Sequence, residues 1–387
     1  MEPVGGGAPQ RGAGGELLAG VWHDGAVGYD AFLLLSFGGP ERPEDVLPFL
    51  QNVTRGRRVP PQRLVEVAEH YQHFGGVSPI NEQCRALLAA VRTEFAEHGL
   101  SLPQYWGNRN WHPMLADTMA SMRDDGVRRA VAFVTSAYGS YSSCRQYLDD
   151  LAAARAAVGP RAPVVHKLRH YHDHPGFVAP LADGVRHALA SLEPVPRERT
   201  RLVFTAHSIP EQMARTAGPQ GFRSGSQAAP DSGLYQAQLA ETAALVGQAA
   251  APELPWDLVW QSRSGPAHVP WLEPDVNAHL EALAASGTEA VVVSPIGFTS
   301  DHLEVVWDLD TEAADTAKRV GLAYARAATP GADPRFVAMI RELVQERTET
   351  EDAAAGSINR MPRQRLGTLP VWDVCPSHCC PAKRAGS

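Results

Sequence analysis

The sequence predicts an α/β protein with two doubly wound domains, each built on a parallel sheet. Strand-like runs alternate with amphipathic stretches along the chain, which is the pattern of successive βαβ units. The strands are continuous apolar runs rather than alternating ones, as expected where helices cover both faces of a sheet. The 387 residues, of which 44% are hydrophobic, are enough to build two domains with a sizeable core.

The order of the elements suggests where the two domains meet. The predicted strands are, in chain order, 29–36, 103–108, 129–137, 163–169, 201–207, 256–263 and 289–295. Helical patterns between them include 87–98, 181–192 and 235–248. The Pro-containing connection 191–200 separates the first four strands from the last three. We therefore predict an N-terminal domain over residues 29–195 and a C-terminal domain over residues 196–346.

Three further segments lack helical or strand periodicity. Residues 1–28 are rich in Gly and Ala, and we interpret them as a disordered N-terminal tail. Residues 218–233 are predicted to form a mobile surface loop. The segment 347–387 is interpreted as a polar linker, to about residue 370, followed by a cysteine-bearing C-terminus.

Composition excludes several classes of function. A net charge of −8 and a pI near 6.0 argue against a nucleic-acid partner. No apolar run approaches the roughly 18–20 residues that span a bilayer, and the N-terminus lacks the basic start and apolar core of a signal peptide. We therefore expect a cytoplasmic protein. Its five cysteines then point to metal or redox chemistry rather than to a disulfide framework.

Candidate functional residues follow the apolar strands, because ligands of open parallel sheets bind at the carboxyl ends of the strands. His207 ends the predicted strand 201–207 and can present its ring to a cleft between the domains. A neutral imidazole is the commonest metal ligand and a suitable base near neutral pH. Position alone is equally compatible with a histidine that is satisfied by a local hydrogen bond.

A row of acids follows the last predicted strand. Glu304, Asp308 and Glu312 are four residues apart, so they lie along one face of a helix, where like charges weaken that helix slightly. A solvated helix face is the alternative interpretation. Because the row begins just after the buried strand 289–295, we expect Glu304 to face the cleft. Acids that recede from a site suit the passage of cations or protons.

A basic stretch precedes the second helical region. NVTRGRRVP contains Arg55, and guanidinium groups pair well with carboxylates, so the stretch could recognise an acidic ligand. An ordinary surface patch is the alternative. Tyr71 and Phe74 follow and could form a flat apolar wall. The Gly-rich SFGGPE lacks both common phosphate-loop patterns, and no G-x-S-x-G elbow is present.

Three cysteines lie close together near the C-terminus, and Cys144 is the best candidate for a fourth partner. The three are Cys375, Cys379 and Cys380. Iron–sulfur clusters and structural zinc sites both use four thiolates. The alternative, a tail with incidental thiols, is disfavoured because exposed free cysteines are a liability.

From LLLSFGGPE (33–41) to VQER (344–347) the chain resembles the ferrochelatases. The matching motifs are NVTRGR, HYQHFGGVSPIN, YWGNRNWHP, TSAYGSYSSCRQY, FTAHSIP, QSRSGP and SPIGFTSDHLEVVWDLD. The resemblance implies a cleft between two four-stranded Rossmann-like domains, in which ferrous iron is inserted into a porphyrin. It also implies that His207 and Glu304 face each other across the metal-insertion site.

The same resemblance implies a set of porphyrin contacts. Tyr71, Ser78 and Tyr138 match positions that contact the porphyrin, and Arg55 matches a basic stretch near it. Some relatives place a tyrosine where this chain has Phe37, whose ring has no oxygen, so iron coordination by that residue is excluded.

The likeness is strongest to coproporphyrin III ferrochelatases of the Gram-positive type. Some of these carry a [2Fe–2S] cluster held by C-terminal cysteines and one internal cysteine, a pattern that Cys144, Cys375, Cys379 and Cys380 match. We therefore expect coproporphyrin III and ferrous iron as substrates and a monomeric enzyme. The alternatives are insertion of iron into protoporphyrin IX, a heme- or iron-binding protein without turnover, and a zinc-stabilised nucleotide-binding protein.

Overall fold

The computed structural model describes residues 28–56, 59–192, 195–225, 230–265, 268–354, 363–376 and 378–381. Apart from Gly28, the predicted N-terminal tail lies outside the described residues. So do Arg57 and Arg58 of the basic stretch and four residues of the predicted surface loop, 226–229.

Eight strands form two parallel sheets of four strands each. The first sheet contains β1 (Ala31–Ser36), β2 (Gln104–Asn108), β3 (Arg129–Val134) and β4 (Val164–Lys167). The second contains β5 (Thr200–His207), β6 (Trp256–Gln261), β7 (Ala290–Ser294) and β8 (Ala323–Arg326). The strand orders are β2-β1-β3-β4 and β6-β5-β7-β8, so both sheets have the same connectivity, and every pairing is parallel. The α/β prediction with two Rossmann-like units is confirmed.

Helices connect the strands of both sheets. They are α1 (Val46–Val53), α2 (Pro61–His73), α3 (Ile80–Glu97), α4 (Leu115–Asp124), α5 (Gln146–Val158), α6 (Pro175–Ser191), α7 (Glu211–Arg215), α8 (Leu234–Ala250), α9 (Val276–Ala285), α10 (Leu303–Val305), α11 (Ala314–Val320) and α12 (Pro334–Ala354). Two π-helical segments, Tyr141–Arg145 and Val306–Ala313, precede α5 and α11. Within the described parts of the chain, no helix is long and apolar enough to cross a membrane.

All seven predicted strands occur, and the structure adds β8. This strand has four half-buried residues, AYAR, at the edge of the second sheet. Of its residues only Tyr324 favours strands, which explains why the sequence pattern did not predict it.

One apolar core is shared by both sheets. Phe32 and Phe133 of the first sheet belong to the same buried cluster as Phe204 and Val292 of the second. Two helices connect the halves: α6 packs against α8, β7 and β8, and α12 packs against α3 and α6. Because α6 precedes residue 195 but packs on the second sheet, the predicted domain boundary describes the strands better than the helices. The boundary itself stays a prediction.

The helix α12 corrects the predicted start of the C-terminal linker. It continues to Ala354, into the segment from residue 347 that was interpreted as linker. The end of this helix is polar and therefore shows no apolar period. Two threonines bond back along the helix: the hydroxyl of Thr348 donates to the carbonyl of Val344, and that of Thr350 to the carbonyl of Glu346, each at 2.9 Å.

Candidate active site

The carboxyl ends of β5, β6 and β7 meet at one edge of the second sheet and carry the candidate residues. His207 is the last residue of β5, and it pairs in register with Gln261, the last residue of β6. The loop after β7 leads into α10, which carries Glu304. A parallel sheet thus brings together three segments that are far apart in the chain.

His207 and Glu304 face each other. Their side-chain atoms Nε2 and Oε2 are 3.9 Å apart, and both side chains are partly exposed. Nδ1 of His207 bonds to the carbonyl oxygen of Ser208. Since a carbonyl can only accept, Nδ1 carries the proton in the neutral ring, and the lone pair on Nε2 points toward Glu304. This tautomer can accept a proton or bind a metal ion from the cleft.

Close backbone packing sets the spacing of this pair. A Cβ on Gly297, in the loop after β7, would lie 2.6 Å from the Cβ of Ala206. Only glycine therefore lets this loop lie against the end of β5. On the other side, the hydroxyl of Tyr235 donates to the carbonyl of His207 at 2.9 Å. No motif pointed to Tyr235, which lies on a different element from the motif around His207.

The predicted acid row lines a cavity of about 220 Å³. Glu304 lies on α10, whereas Asp308 and Glu312 lie on the π-helical segment Val306–Ala313, which corrects the expectation of a regular helix. In a π-helix the hydrogen bonds run from residue i to i+5, so side chains four apart still lie on the same side. Such segments occur frequently at functional sites.

Asp308 is the most perturbed acid of the row. Burial raises its pKa to about 7, the hydroxyl of Ser262 opposes the rise by hydrogen bonding, and the charges of Glu304 and Glu312 add to it. The amide Nε2 of Gln261 also donates to Asp308, at 3.2 Å. Asp308 therefore changes charge near neutral pH.

Ser262 and Gln261 were not predicted as site residues. They belong to QSRSGP, which the sequence analysis used only as one of the motifs of the family resemblance. Ser262 has a φ of 59°, in the left-handed region that residues other than glycine rarely adopt. Such strained backbone is concentrated at functional sites, and here it accompanies the hydroxyl's contact with Asp308.

Aromatic rings close the outer side of the cavity. The rings of His70 and Trp307 stack with centroids 4.0 Å apart, and the indole N–H of Trp307 donates to Glu312 at 2.9 Å. Burial lowers the pKa of His70, although the charge of Glu312 opposes this. Tyr71 also lines the cavity, and burial raises its pKa, so its hydroxyl stays protonated. Trp307 is a further lining residue that sequence reasoning did not single out.

The other predicted porphyrin contacts are not among the residues that line this cavity. Ser78 is buried beside the SFGGP turn, where its N–H donates to the carbonyl of Pro40 at 2.9 Å. Tyr138 is buried, and its hydroxyl donates to the carbonyl of Ile296 at 2.7 Å, beneath the loop that leads to Glu304. Arg55 lies exposed in the turn after α1.

The four cysteines of the predicted cluster form a chain of contacts. Cys144, in the π-helical segment after β3, contacts Cys375, which contacts Cys379. The Sγ atoms of Cys379 and Cys380 are 3.8 Å apart. Thiol hydrogen bonds from Cys144 and Cys379 lower the pKa of Cys375. Cys84 instead lies buried in α3, where burial raises its pKa to about 11.

Backbone geometry supports this arrangement of thiols. Cys380 has a φ of 48° and His378 a φ of 63°, both left-handed, so the segment folds back tightly. The N–H of Gly218 donates to Sγ of Cys380 at 3.1 Å, and the N–H of Cys380 donates to the carbonyl of Gly218 at 2.9 Å. The predicted surface loop is therefore attached, at its first residue, to the C-terminal segment.

Comparison with known proteins gives one consistent result. The ferrochelatase family model matches residues 29–348. A coproporphyrin III ferrochelatase from Streptomyces griseus subsp. griseus is 54% identical over 363 residues, 92% of this chain and 94% of the relative. One from Nocardia farcinica is 53% identical over 362 residues, 92% of this chain and 97% of the relative. One from Mycolicibacterium vanbaalenii is 55% identical over 318 residues, 82% of this chain and 89% of the relative. The chain therefore belongs to the ferrochelatase family.

Proposed function

We propose that the protein inserts ferrous iron into coproporphyrin III, which yields Fe-coproporphyrin III for heme biosynthesis. The observation that carries the proposal is the pair His207 and Glu304, whose side chains face each other at 3.9 Å beside a row of acids. The family match and the names of the three relatives support the choice of porphyrin. A cytoplasmic location and a monomeric state stay predictions.

The proposed reaction exchanges two pyrrole protons for one divalent cation. The free lone pair on Nε2 of His207 and the carboxylate of Glu304 can accept these protons and hold the entering iron. Asp308 and Glu312 extend the negative charge from Glu304 toward solvent, since Glu312 is exposed. We propose that ions travel along this row. The cleft walls would hold the macrocycle in a bent form that exposes its nitrogen lone pairs.

The test of the substrate is steady-state metallation of coproporphyrin III and protoporphyrin IX, side by side, with anaerobic Fe²⁺. Coproporphyrin III has four propionates and protoporphyrin IX has two, and Arg63 and Arg263 are cationic residues of the cavity wall. We expect the higher kcat/KM with coproporphyrin III. A preference for protoporphyrin IX would select the alternative substrate, and binding of both without turnover would select a non-catalytic heme- or iron-binding protein.

Asp308→Asn is expected to remove a pH dependence of metal use. In the wild type Asp308 is neutral below about pH 7 and negative above it, so the KM for Fe²⁺ should fall as pH rises through that value. In the variant this change should be lost. The KM for Fe²⁺ at pH 8 should then be about tenfold higher than in the wild type, because one negative charge that attracts the cation is missing and its attraction is only partly screened. The measurement is the KM for Fe²⁺ between pH 6 and 8.5.

The pH dependence of stability is a second test of the raised pKa of Asp308. The folded state holds the Asp308 proton more tightly than the unfolded state, so stability falls as pH rises from the ordinary carboxyl pKa to about 7. Asp308→Asn should therefore raise the thermal midpoint at pH 8. Asp310→Asn is the matched control, because Asp310 lies exposed in the same segment and pairs with Arg326. If Asp308→Asn kept the wild-type pH dependence of the KM for Fe²⁺, a group other than Asp308 would be responsible for it.

We also propose that Cys144, Cys375, Cys379 and Cys380 hold a [2Fe–2S] cluster. The thiols suit the cluster as donors, because they form a chain of contacts from Cys144 through Cys375 and Cys379 to Cys380, three of them are buried, and a backbone N–H donates to one sulfur. When bound, the cluster would cross-link the C-terminal segment to the turn after β3. Its loss should destabilise the fold rather than alter metal insertion directly.

Replacing Cys144 with serine should bleach the protein. Aerobically purified wild type is expected to be reddish-brown, with the absorption of a [2Fe–2S] centre and about two irons per chain. Serine at any of the three C-terminal cysteines should have the same effect as Cys144→Ser. Cys84→Ser is the control and should stay coloured, since that thiol lies on α3. Colourless wild type with one zinc would select the zinc site instead, and a coloured Cys144→Ser variant would remove that residue from the site.

A further inference from the structure

One polar face of α8 extends from the catalytic histidine toward the C-terminal segment. Tyr235, Gln238 and Glu241 are three residues apart, so they lie along one side of the helix. The hydroxyl of Tyr235 donates to the carbonyl of His207 at 2.9 Å. The side chain of Gln238 accepts from the N–H of Gly139 at 2.8 Å. One rigid helix thus joins the active site to the turn that follows β3.

Glu241, on the same face, binds residues 363–371, which we call the C-terminal strap. Its Oε1 accepts from the N–H of Thr368 at 2.7 Å, from the hydroxyl of Thr368 at 3.1 Å and from the N–H of Leu369 at 3.2 Å. Its Oε2 contacts Nε2 of His172 at 3.0 Å. Burial opposes ionisation, but the hydrogen bonds from His172 and the N–H of Thr368 lower the pKa of Glu241 to about 2. The carboxylate therefore stays charged throughout the neutral range.

A second buried acid anchors the strap beside the first. Asp173 is fully buried, and its Oδ2 accepts from Nε of Arg365 at 2.7 Å. The carbonyl of Asp173 accepts from the N–H of Leu366 at 2.9 Å. A Cβ on Gly367 would lie 2.2 Å from Oε2 of Glu241, so a larger residue here would displace this carboxylate from its hydrogen bonds. A buried carboxylate that loses its cationic partner is strongly unfavourable, which makes the docked strap the stable state.

A third anchor combines Glu346 of α12, whose Oε1 lies 3.2 Å from Nε of Arg363 in the strap, with Arg169 of the loop between β4 and α6. Arg169 is buried and forms a two-point ion pair with Glu346, with Nε–Oε1 at 2.8 Å and Nη2–Oε2 at 3.0 Å. The same guanidinium donates to the carbonyl of Gln364 at 3.2 Å. The strap is thus docked by groups from α8, α12 and the loop before α6, and the polar segment that the sequence presented as a linker has fixed partners along part of its length.

We infer that the C-terminal strap and α8 form a positioning unit for the proposed metal insertion, in which Tyr235 transmits the docked state of the strap to His207. The physical link is continuous: the strap fixes Glu241, the helix is rigid between Glu241 and Tyr235, and Tyr235 holds the backbone of the residue that faces Glu304. Catalytic groups misplaced by about 1 Å can lose about a hundredfold in rate. Release of the strap is therefore expected to lower kcat and to leave porphyrin affinity unchanged.

Glu241→Gln in the full-length protein is the first test. Glutamine keeps the size of the side chain but removes the charge that holds Thr368 and Leu369. Trypsin should then cut after Arg363 or Arg365 in the strap at least about tenfold faster than in the wild type. The kcat for Fe²⁺ insertion should fall about ten- to hundredfold, whereas the porphyrin Kd from tryptophan quenching should stay unchanged.

Glu342→Gln is the matched control. Glu342 lies on α12 and contacts His174 at 3.4 Å and Arg341 at 3.5 Å, with no contact to the strap or α8 among the described residues. It should match the wild type in trypsin sensitivity and in kcat. If Glu241→Gln does not fold, Arg365→Gln releases the strap at the neighbouring anchor, Asp173, and changes a side chain that is partly exposed.

Tyr235→Phe tests the link from the helix to the active site. Phenylalanine keeps the ring that packs at 6.0 Å from Trp260 but removes the hydroxyl that binds the His207 carbonyl. We expect kcat to fall with unchanged porphyrin Kd and a strap that stays protected from trypsin. A wild-type kcat in Tyr235→Phe, or in Glu241→Gln with its strap released, would overturn the inference. If the wild-type protein itself does not metallate a porphyrin, the proposed function fails instead.

Discussion

His207→Ala is expected to abolish iron insertion and to leave porphyrin binding largely intact. The imidazole presents a free lone pair on Nε2, 3.9 Å from Glu304, because Nδ1 is committed to the carbonyl of Ser208. Alanine removes this base and metal ligand, and loss of a positioned general base typically costs about 10²–10⁴ in rate. The ring is one small part of the cleft wall, so porphyrin affinity should change little.

Two assays on purified protein measure this outcome. Anaerobic Fe²⁺ insertion into coproporphyrin III gives kcat and KM, and fluorescence quenching by the porphyrin gives its Kd. His98→Ala is the control, because His98 is exposed at the end of α3 and bonds to the carbonyl of Glu94 at 2.9 Å. Near-normal turnover of His207→Ala would show that the histidine is not part of the reaction. Equal loss of binding and turnover would assign it a role in shaping the cleft.

The sheets could be predicted from the sequence because burial on both faces leaves continuous apolar runs. β1, with the sequence AFLLLS, and β7, with AVVVS, are buried at every position, and both were predicted. β8 has the sequence AYAR, in which only Tyr324 favours strands, whereas the half-buried edge strand β4 begins with two valines and was predicted. A strand without β-branched or aromatic runs therefore escapes prediction even where it pairs.

The site could be predicted where the functional residue stands directly after its own strand. His207 ends β5 and Glu304 follows β7, so their positions in the chain predicted that both lie near the carboxyl ends of the strands, and the resemblance to the ferrochelatases then singled them out. Tyr235 and Gln261 act through contacts with elements distant in sequence, the carbonyl of His207 and the carboxylate of Asp308. Such roles depend on tertiary packing, which the local sequence pattern does not indicate.

The π-helical segment and the docking of the C-terminal strap also could not be predicted from local sequence patterns. Acids four residues apart fit an α-helix and a π-helix equally well, so the spacing of the acid row could not distinguish them. The polar residues of the strap bind buried charges, Asp173 and Glu241, and only Leu369 and Val371 of its apolar residues are buried. A polar composition is typical of a free linker and of a segment docked by ion pairs.

Glu304→Gln is expected to remove most of the activity, by about 10²–10³ in kcat. The amide has nearly the size of the carboxylate, so the cleft should keep its shape. It can neither accept a pyrrole proton nor carry the negative charge that attracts Fe²⁺ toward His207, 3.9 Å away. Glu304→Asp keeps the charge but shortens the side chain, so it should retain part of the turnover. The measurement is kcat and the KM for Fe²⁺ in each variant.

The two outer acids supply the comparison that tests a graded path. Asp308→Asn and Glu312→Gln should have smaller effects than Glu304→Gln, seen mainly as a weaker response of rate to metal concentration. Glu312 lies farthest out, where it is exposed and bonds to Trp307, so its effect should be the smallest. Equal losses at all three positions would contradict a path and would indicate damage to the π-helical segment, which thermal melting of the same variants would reveal. If Glu304→Gln kept full activity and only Glu312→Gln changed the response of rate to metal concentration, another group in the cleft would have to accept the protons.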